Sequence, residues 1–277
     1  MADDADDATA TGATGAEPRP SLVRLERVGA VAIITLDRPD RHNAMGNAMD
    51  AQFWAALAEV ASDDAVRAVV WRGAGPSFSS GRDVADLGIR HGESDYQYIS
   101  AGLDRTQELL IPPAKPIIVA IAGWCIGGAF ERALLCDVRF AAPDARFRLP
   151  ELAHGLLPDS GGTAKLFQMC GHGVVADLVL SGRVLDAEEA LRLGIVSRNV
   201  ERDALDDAAL ELATTIAAAP PLAVRQHREL LWRLGGQQVQ ASVQQELLAQ
   251  MLVYTSEDFA EFKAARAEGR APRYRGT

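Results

Sequence analysis

Lysine is almost missing from this chain. Only Lys115, Lys165 and Lys263 occur in 277 residues, and arginine supplies the remaining cations. Cysteine is scarce and odd in number: Cys125, Cys136 and Cys170 show no metal-type spacing. Without a secretory signal, free and mostly buried thiols are expected. His42, His91, His172 and His227 show no ligand spacing, so no metal site is expected. No apolar run reaches the roughly 18 residues of a helical membrane span. The first residues lack the basic start and apolar stretch of a signal peptide, so a cytoplasmic protein without membrane contact is expected. Positive charge is also short. The net charge is -10, which argues against a broad nucleic-acid footprint, although basic side chains do gather near the C-terminus.

What is present is an ordinary globular composition, 48% hydrophobic and 24% charged, over a length that buries a full-sized core. Residues 1–19 are the exception. Asp3, Asp4, Asp6, Asp7 and Glu17 stand there against Arg19, with almost no large apolar side chain. Such a leader cannot offset the entropy of ordering and is expected to be disordered. Residues 20–200 alternate strand and helix signals, and 201–277 are helical. The fold class expected is therefore an α/β core with a helical C-terminal region.

Within the core, 22–26 and 31–36 read as a hairpin, and 46–61 carry Met49, Phe53, Leu57 and Val60 at helical spacing. A short strand at 68–71 leads to a Gly/Ser/Pro loop, and Gly81-Arg82-Asp83 is expected to open a helical stretch. The polar 88–98 segment precedes a helix at about 99–110. Strands follow at 116–121, 138–141 and 146–149, and helices at 161–169, 172–180 and 186–193, the last capped by Asp186. A strand returns at 194–197. Long helices close the chain at about 203–218, 221–233, 237–254 and 256–268.

The chain is organised around Ala122-Gly123-Trp124-Cys125-Ile126-Gly127-Gly128-Ala129-Phe130-Glu131. A buried strand runs into two glycines, then into an apolar helix with a carboxylate one turn in. A helix start offers unpaired N–H groups and a positive dipole end, and glycine lets a ligand come close. Such a turn suits an oxygen that becomes negative during a reaction. Two further stretches have related chemistry: Phe78-Ser79-Ser80-Gly81-Arg82-Asp83, and Leu149-Pro150-Glu151 followed by Leu157-Pro158-Asp159-Ser160-Gly161-Gly162-Thr163. Taken singly each is ordinary, since acids favour first helical turns for dipole reasons alone.

In combination these stretches resemble the enoyl-CoA hydratase/isomerase (crotonase) superfamily from about Leu22 to Tyr274. Ile33-Ile34-Thr35-Leu36-Asp37-Arg38-Pro39 with Asn43-Ala44-Met45 is similar to the family's opening strand and CoA-side turn. Ser181-Gly182-Arg183 with Ala187, Ala190 and Gly194-Ile195-Val196 matches a later family pattern. The resemblance implies a crotonase-like ββα spiral core with a C-terminal trimerisation region, assembled as a trimer or dimer of trimers. It implies an acyl-CoA thioester substrate, with coenzyme A as part of that substrate and no separate cofactor.

By position, the backbone amides of Arg82 and Gly128 would hold the thioester oxygen. Ser80, Arg82 and Asp83, with Arg266 and Arg270 near the C-terminus, are the candidates for CoA contacts. The Arg82 guanidinium either reaches a CoA phosphate or is a solvated surface arginine. Glu131 and Glu151 match the two glutamates that hold water in family hydratases, with the division of roles left open. Asp159 stands where some family isomerases carry an acid/base. The bland reading, that it caps the helix opening at Gly161-Gly162-Thr163, is slightly favoured. The first expectation is thus a 2-enoyl-CoA hydratase, and the second an enoyl- or dienoyl-CoA isomerase using Glu151 with Asp159 or Glu131. The third is a non-catalytic acyl-CoA or RNA binding protein. Ser79 and Ser80 find no partner histidine and acid in a convincing order for a serine nucleophile. His154 is expected to be structural or on the rim.

Overall fold

A computed structural model describes residues 21–87, 92–94, 96–101, 105 and 115–277. The expected disordered leader, part of the polar 88–98 segment and most of the 99–110 helix lie outside the described residues. Residues 96–101 are helical. Beyond Gly81-Arg82-Asp83 the chain makes turns through Leu87, where a helix is expected from the sequence.

Six strands form the main sheet in the order β1-β2-β3-β4-β6-β9. β1 (Val23–Val28) and β2 (Val31–Leu36) are the expected antiparallel hairpin. β3 (Ala68–Gly73), β4 (Ile117–Ile121), β6 (Val138–Ala141) and β9 (Arg198–Asn199) add in parallel. β9 starts at Arg198, just beyond the expected 194–197.

Every residue of β2 and β4 is buried because both faces of the sheet are covered. Ala32, Ile34 and Leu36 point to one side, where α1 (Asn47–Ser62) packs Met49, Phe53, Trp54 and Leu57 around Trp71 and Phe78. Val31 and Ile33 point to the other, where α5 (Leu205–Ala218) packs Leu205, Ala209, Ala213 and Ala217. The first helix beyond residue 201 is thus part of the sheet core, because its small-residue stripe fits flat against the strands.

A second sheet of three strands, β5 (Trp124–Ile126), β7 (Arg146–Arg148) and β8 (Leu185–Asp186), lies inside the turn region. β5 was not anticipated; three residues ahead of two glycines are too few for a strand signal. α2 (Gly128–Leu135) leaves β5 directly. α3 (Gly162–Ser181) joins the two helices expected at 161–169 and 172–180 through a kink at Gly171. Asp186 caps α4 (Ala187–Arg192) through the Glu189 amide, as expected.

α6 (Pro221–Tyr254) runs unbroken through Gly235-Gly236, where a break between two helices is expected from the sequence, and α7 (Glu257–Ala267) folds back on it. Val239, Val243, Leu247 and Tyr254 of α6 pack with Phe259 and Phe262 of α7 and with Ile99 and Leu156. This cluster closes one side of the cavity described next. Among the described residues, no helix is long and apolar enough to cross a membrane. Cys125 and Cys136 are buried and free, and Cys170 is free and half-buried.

Candidate active site

Two glycine turns leave one point of the fold side by side. Ser79 and Cys125 form a parallel bridge: the Ser79 amide donates to Trp124 O at 2.8 Å and the Ile126 amide to Ser79 O at 3.0 Å. Three residues beyond the bridge on each strand stand Arg82 and Gly128. A Cβ added to Gly81 would lie 2.5 Å from Ile126 O and 3.7 Å from Gly127 Cα, so the turns are in van der Waals contact.

Arg82 bridges Met45 on its other side through its neighbours. Met45 N donates to Gly81 O, and Asp83 N to Met45 O. In a parallel bridge this leaves the Arg82 N–H directed away from Met45. Gly128 opens α2, where an N–H has no intrahelical acceptor. Among the described residues neither amide has a backbone acceptor.

The Arg82 turn is held by Asn43. Its Nδ2 donates to the carbonyls of Ala74, Ser77 and Phe78, and its Oδ1 accepts from Arg38 N. The Gly127 turn needs glycine. Its backbone has φ 55° and ψ -135°, and a Cβ there would lie 2.7 Å from Glu151 Oε1.

Both turns open onto a cavity of about 350 Å³, lined among others by Arg82, Gly128, Glu131, Glu151, Asp159 and Gln250. The sequence-proposed catalytic set is therefore gathered at one place. Glu131, on the first turn of α2, is only 1% exposed, and its Oε1 accepts from the amides of Ser160 at 3.0 Å and Gly162 at 3.2 Å. Glu151 starts a 3-10 turn, Glu151–His154, and its Oε2 is buried without a hydrogen-bond partner.

Asp159 does not cap α3. The cap position is Gly161, which makes no side-chain cap bond. Glu131 takes the Gly162 amide and Glu246 takes the Gly161 amide at 2.8 Å, so the helix start is satisfied by carboxylates from α2 and α6. That leaves the Asp159 side chain to turn into the cavity, where Gln250 Nε2 donates to Oδ2 at 3.1 Å. Gln250 also exchanges both amide bonds with Leu157, fixing the strand of chain that carries Asp159.

Four carboxyls thus share one buried neighbourhood. Burial is the largest cause of each shift. Glu131 is held well above the usual carboxylate range, with the charges of Glu151, Asp159 and Glu246 adding to burial. Glu151 is pushed up to about 8 and Glu246 to about 7; Asp159 is also raised. Like charges this close cannot all ionise, so the group retains protons at neutral pH.

The contact between α2 and α3 sets the Glu131 geometry. A Cβ at Gly162 would lie 2.5 Å from Glu131 Cγ and 2.8 Å from its Cβ. Gly162→Ala should therefore lower the unfolding free energy by about 1–3 kcal/mol, measured by urea titration. An unchanged midpoint would mean that Glu131 moves aside at no cost.

Other sequence candidates lie elsewhere. The Asp83 carboxylate pairs with Arg38 at 2.7 Å, and the Ser80 hydroxyl points to Arg41 O at 3.4 Å. Arg270 pairs with Glu261 and Glu268 on the exposed end of α7. Arg266 is exposed on the same helix, and neither arginine lines the cavity. The Arg82 side chain corrects one of the two sequence-based alternatives: it is not solvated on the surface but reaches into the cavity, donating to Asn47 Oδ1 and, at 2.8 Å, to the Tyr98 hydroxyl. Asn47, Tyr98, Glu246 and Gln250 were not singled out from the sequence. Glu246 and Gln250 share a helical face four residues apart, but their partners lie 85 and more residues away in the chain.

Residues 26–277 match the model of the family described as enoyl-CoA hydratase/isomerase. A probable enoyl-CoA hydratase of Mycobacterium bovis is 34% identical over 91% of this chain and 97% of its own length. Carnitinyl-CoA dehydratase of Salmonella arizonae is 36% identical over 92% of this chain and 98% of its own. Among solved structures, an enoyl-CoA hydratase/isomerase from Pseudoalteromonas atlantica superposes with a TM-score of 0.83. It is 31% identical and is matched over 92% of this chain and 100% of its own.

Proposed function

This chain belongs to the enoyl-CoA hydratase/isomerase family and has its crotonase-like fold, and from that premise we propose that it adds water across the 2,3 double bond of a 2-enoyl-CoA. One observation carries the reading: two glutamates, Glu131 buried and Glu151 half-buried, line the cavity onto which two abutting turns direct unpaired amides. The substrate is an acyl-CoA thioester, and coenzyme A enters as part of it.

In this reading the thioester oxygen lies between the amides of Arg82 and Gly128. Glu131 is the base. Its Oε1 accepts two amide N–H bonds, which favour the ionised form against the burial and neighbouring carboxyls that raise its pKa. It takes a proton from water as the water oxygen bonds to C3. The displaced electron pair moves through C2 to the thioester oxygen, and the two amides stabilise that charge. Glu151 then delivers its proton to C2, and the enolate returns its electrons to form the new C–H bond. Burial keeps the Glu151 proton in place at neutral pH. The proton gained by Glu131 and the one lost by Glu151 balance, and their exchange resets the site.

The second reading, isomerisation of an enoyl- or dienoyl-CoA, draws on Asp159. It is a third cavity-facing carboxyl, freed from any capping duty. Incubation with a short 2-enoyl-CoA in 18O-labelled water separates the two. The expected result is loss of the conjugated thioester absorbance with gain of one labelled water. No added water across short and long chains, with a 3-enoyl or dienoyl-CoA converted at constant mass, would replace the first reading by the second. A trimer or dimer of trimers is the assembly proposed with either reading.

A further inference from the structure

The cavity has a second polar half that the chemistry above does not use. Arg82, Asn47, Tyr98, Asp50 and Arg132 line it together with the apolar Ile99 and Leu156. The charges in this half do not cancel. Arg132 and Asp50 neutralise each other at 2.6 Å, with side chains only 12% and 13% exposed. Asp50 is further committed to Trp54 Nε1 at 3.1 Å, and the Arg132 guanidinium lies over the Trp54 ring at 5.0 Å.

Arg82 is the remaining cation. Its two hydrogen bonds, to the Asn47 amide oxygen and the Tyr98 hydroxyl, both use Nη2, and both acceptors are neutral. Among the described residues no carboxylate touches it, although its charge reaches the carboxyls of Asp50 and Asp159. Nη1 carries two further N–H groups; both two-pronged edges of the guanidinium include the occupied Nη2, so a carboxylate is met here through Nη1. At the exposed rim, Glu93 and Arg105 oppose one another in sign.

We propose that this half of the cavity selects an acyl chain ending in a carboxylate, held by the Arg82 guanidinium. The inference rests on the acyl-CoA reading of the site and names the class of acyl group. Arg82 then serves twice. Its backbone amide faces the thioester oxygen, and its side chain faces the far end of the chain. The acid group must lie within one arginine side chain of the thioester, which calls for a short dicarboxylic monothioester. Tyr98 and Asn47 hold the guanidinium in place, so little ordering remains when the ligand binds. A chain of equal length ending in methyl would leave a partly buried cation facing hydrocarbon, which the site should reject.

Equilibrium binding of saturated, unreactive ligands tests this independently of catalysis. Adipyl-CoA, hexanoyl-CoA and free coenzyme A are titrated into the full-length protein by calorimetry. Adipyl-CoA should bind at least about tenfold tighter than hexanoyl-CoA. In Arg82→Met that preference should disappear, and Arg82→Lys should keep part of it. The comparison in the unaltered protein needs no variant to fold. Equal binding, or tighter hexanoyl-CoA, would overturn the proposal and leave Arg82 as a support for Asn47 and Tyr98. Equal weakening of all three ligands in Arg82→Met would also overturn it, placing the guanidinium on a CoA phosphate. If the binding preference holds but no water is added to 2-hexenedioyl-CoA, the hydratase reading fails while the assignment of the pocket stands.

Discussion

Glu131→Gln and Glu151→Gln should each lower the rate of water addition to a 2-enoyl-CoA by about 10²–10⁴-fold, the range for loss of one positioned acid or base. The double variant should lose little more than the worse single one, because in the proposed mechanism the two carboxyls act on one water and one double bond. Steady-state turnover measures this, with circular dichroism to establish that each variant folds. Ordinary turnover in Glu151→Gln would remove it from the chemistry. The same residue sets the alkaline side of the pH profile. With its proton held to about pH 8, activity should fall as pH rises through that value.

The sign for stability follows from the same shift. The unfolded chain releases this proton near 4.5, the folded chain only near 8. Between those values the native state binds more protons, so stability falls as pH rises. Glu151→Gln should flatten that decline in thermal unfolding. Glu151 thus costs stability at neutral pH; it is kept in an unfavourable environment that suits proton transfer.

Gly128→Pro is expected to lower kcat by about 10²–10³-fold, or roughly 2.7–4 kcal/mol of transition-state stabilisation, while the helix survives. The reason lies in its position. Gly128 is the first residue of α2, where proline is tolerated because no intrahelical bond is lost. A Cβ there meets no atom within 4 Å. The substitution deletes one N–H from the space between the turns. If that N–H stabilises developing charge, kcat falls much more than KM changes. A rise in KM with kcat unchanged would assign the amide to ground-state binding instead.

The two turns show how far local pattern reaches. Gly127-Gly128 before an apolar helix is a local signal, because a backbone with φ 55° is open to glycine and strained for other residues. Glu131 and Glu151 were legible for a related reason: each stands at a fixed offset within a motif of the family. The β2 hairpin, α1 and the Asp186 cap were equally local, resting on periodicity and on a side chain reaching three residues along.

Failures cluster where the deciding partner is distant in sequence. Asp159 followed by Ser-Gly-Gly has the chemistry of a helix cap. Only the docking of α2 and α6 shows that Glu131 and Glu246 occupy those amides first. Gly235-Gly236 reads as a break, yet α6 continues through it, with Gly235 O accepting from Gln168 of α3.

Arg82 is the sharpest case. The sequence by itself determined the family, the fold, the two glycine turns and the pair of glutamates, because each depends on backbone conformation or short-range order. The direction of the Arg82 guanidinium, the release of Asp159 from capping and the four-carboxyl neighbourhood were decided by tertiary structure alone. A side chain's protonation and orientation depend on which groups surround it, and here some of those groups, such as Gln250 beside Leu157, lie 93 residues along the chain.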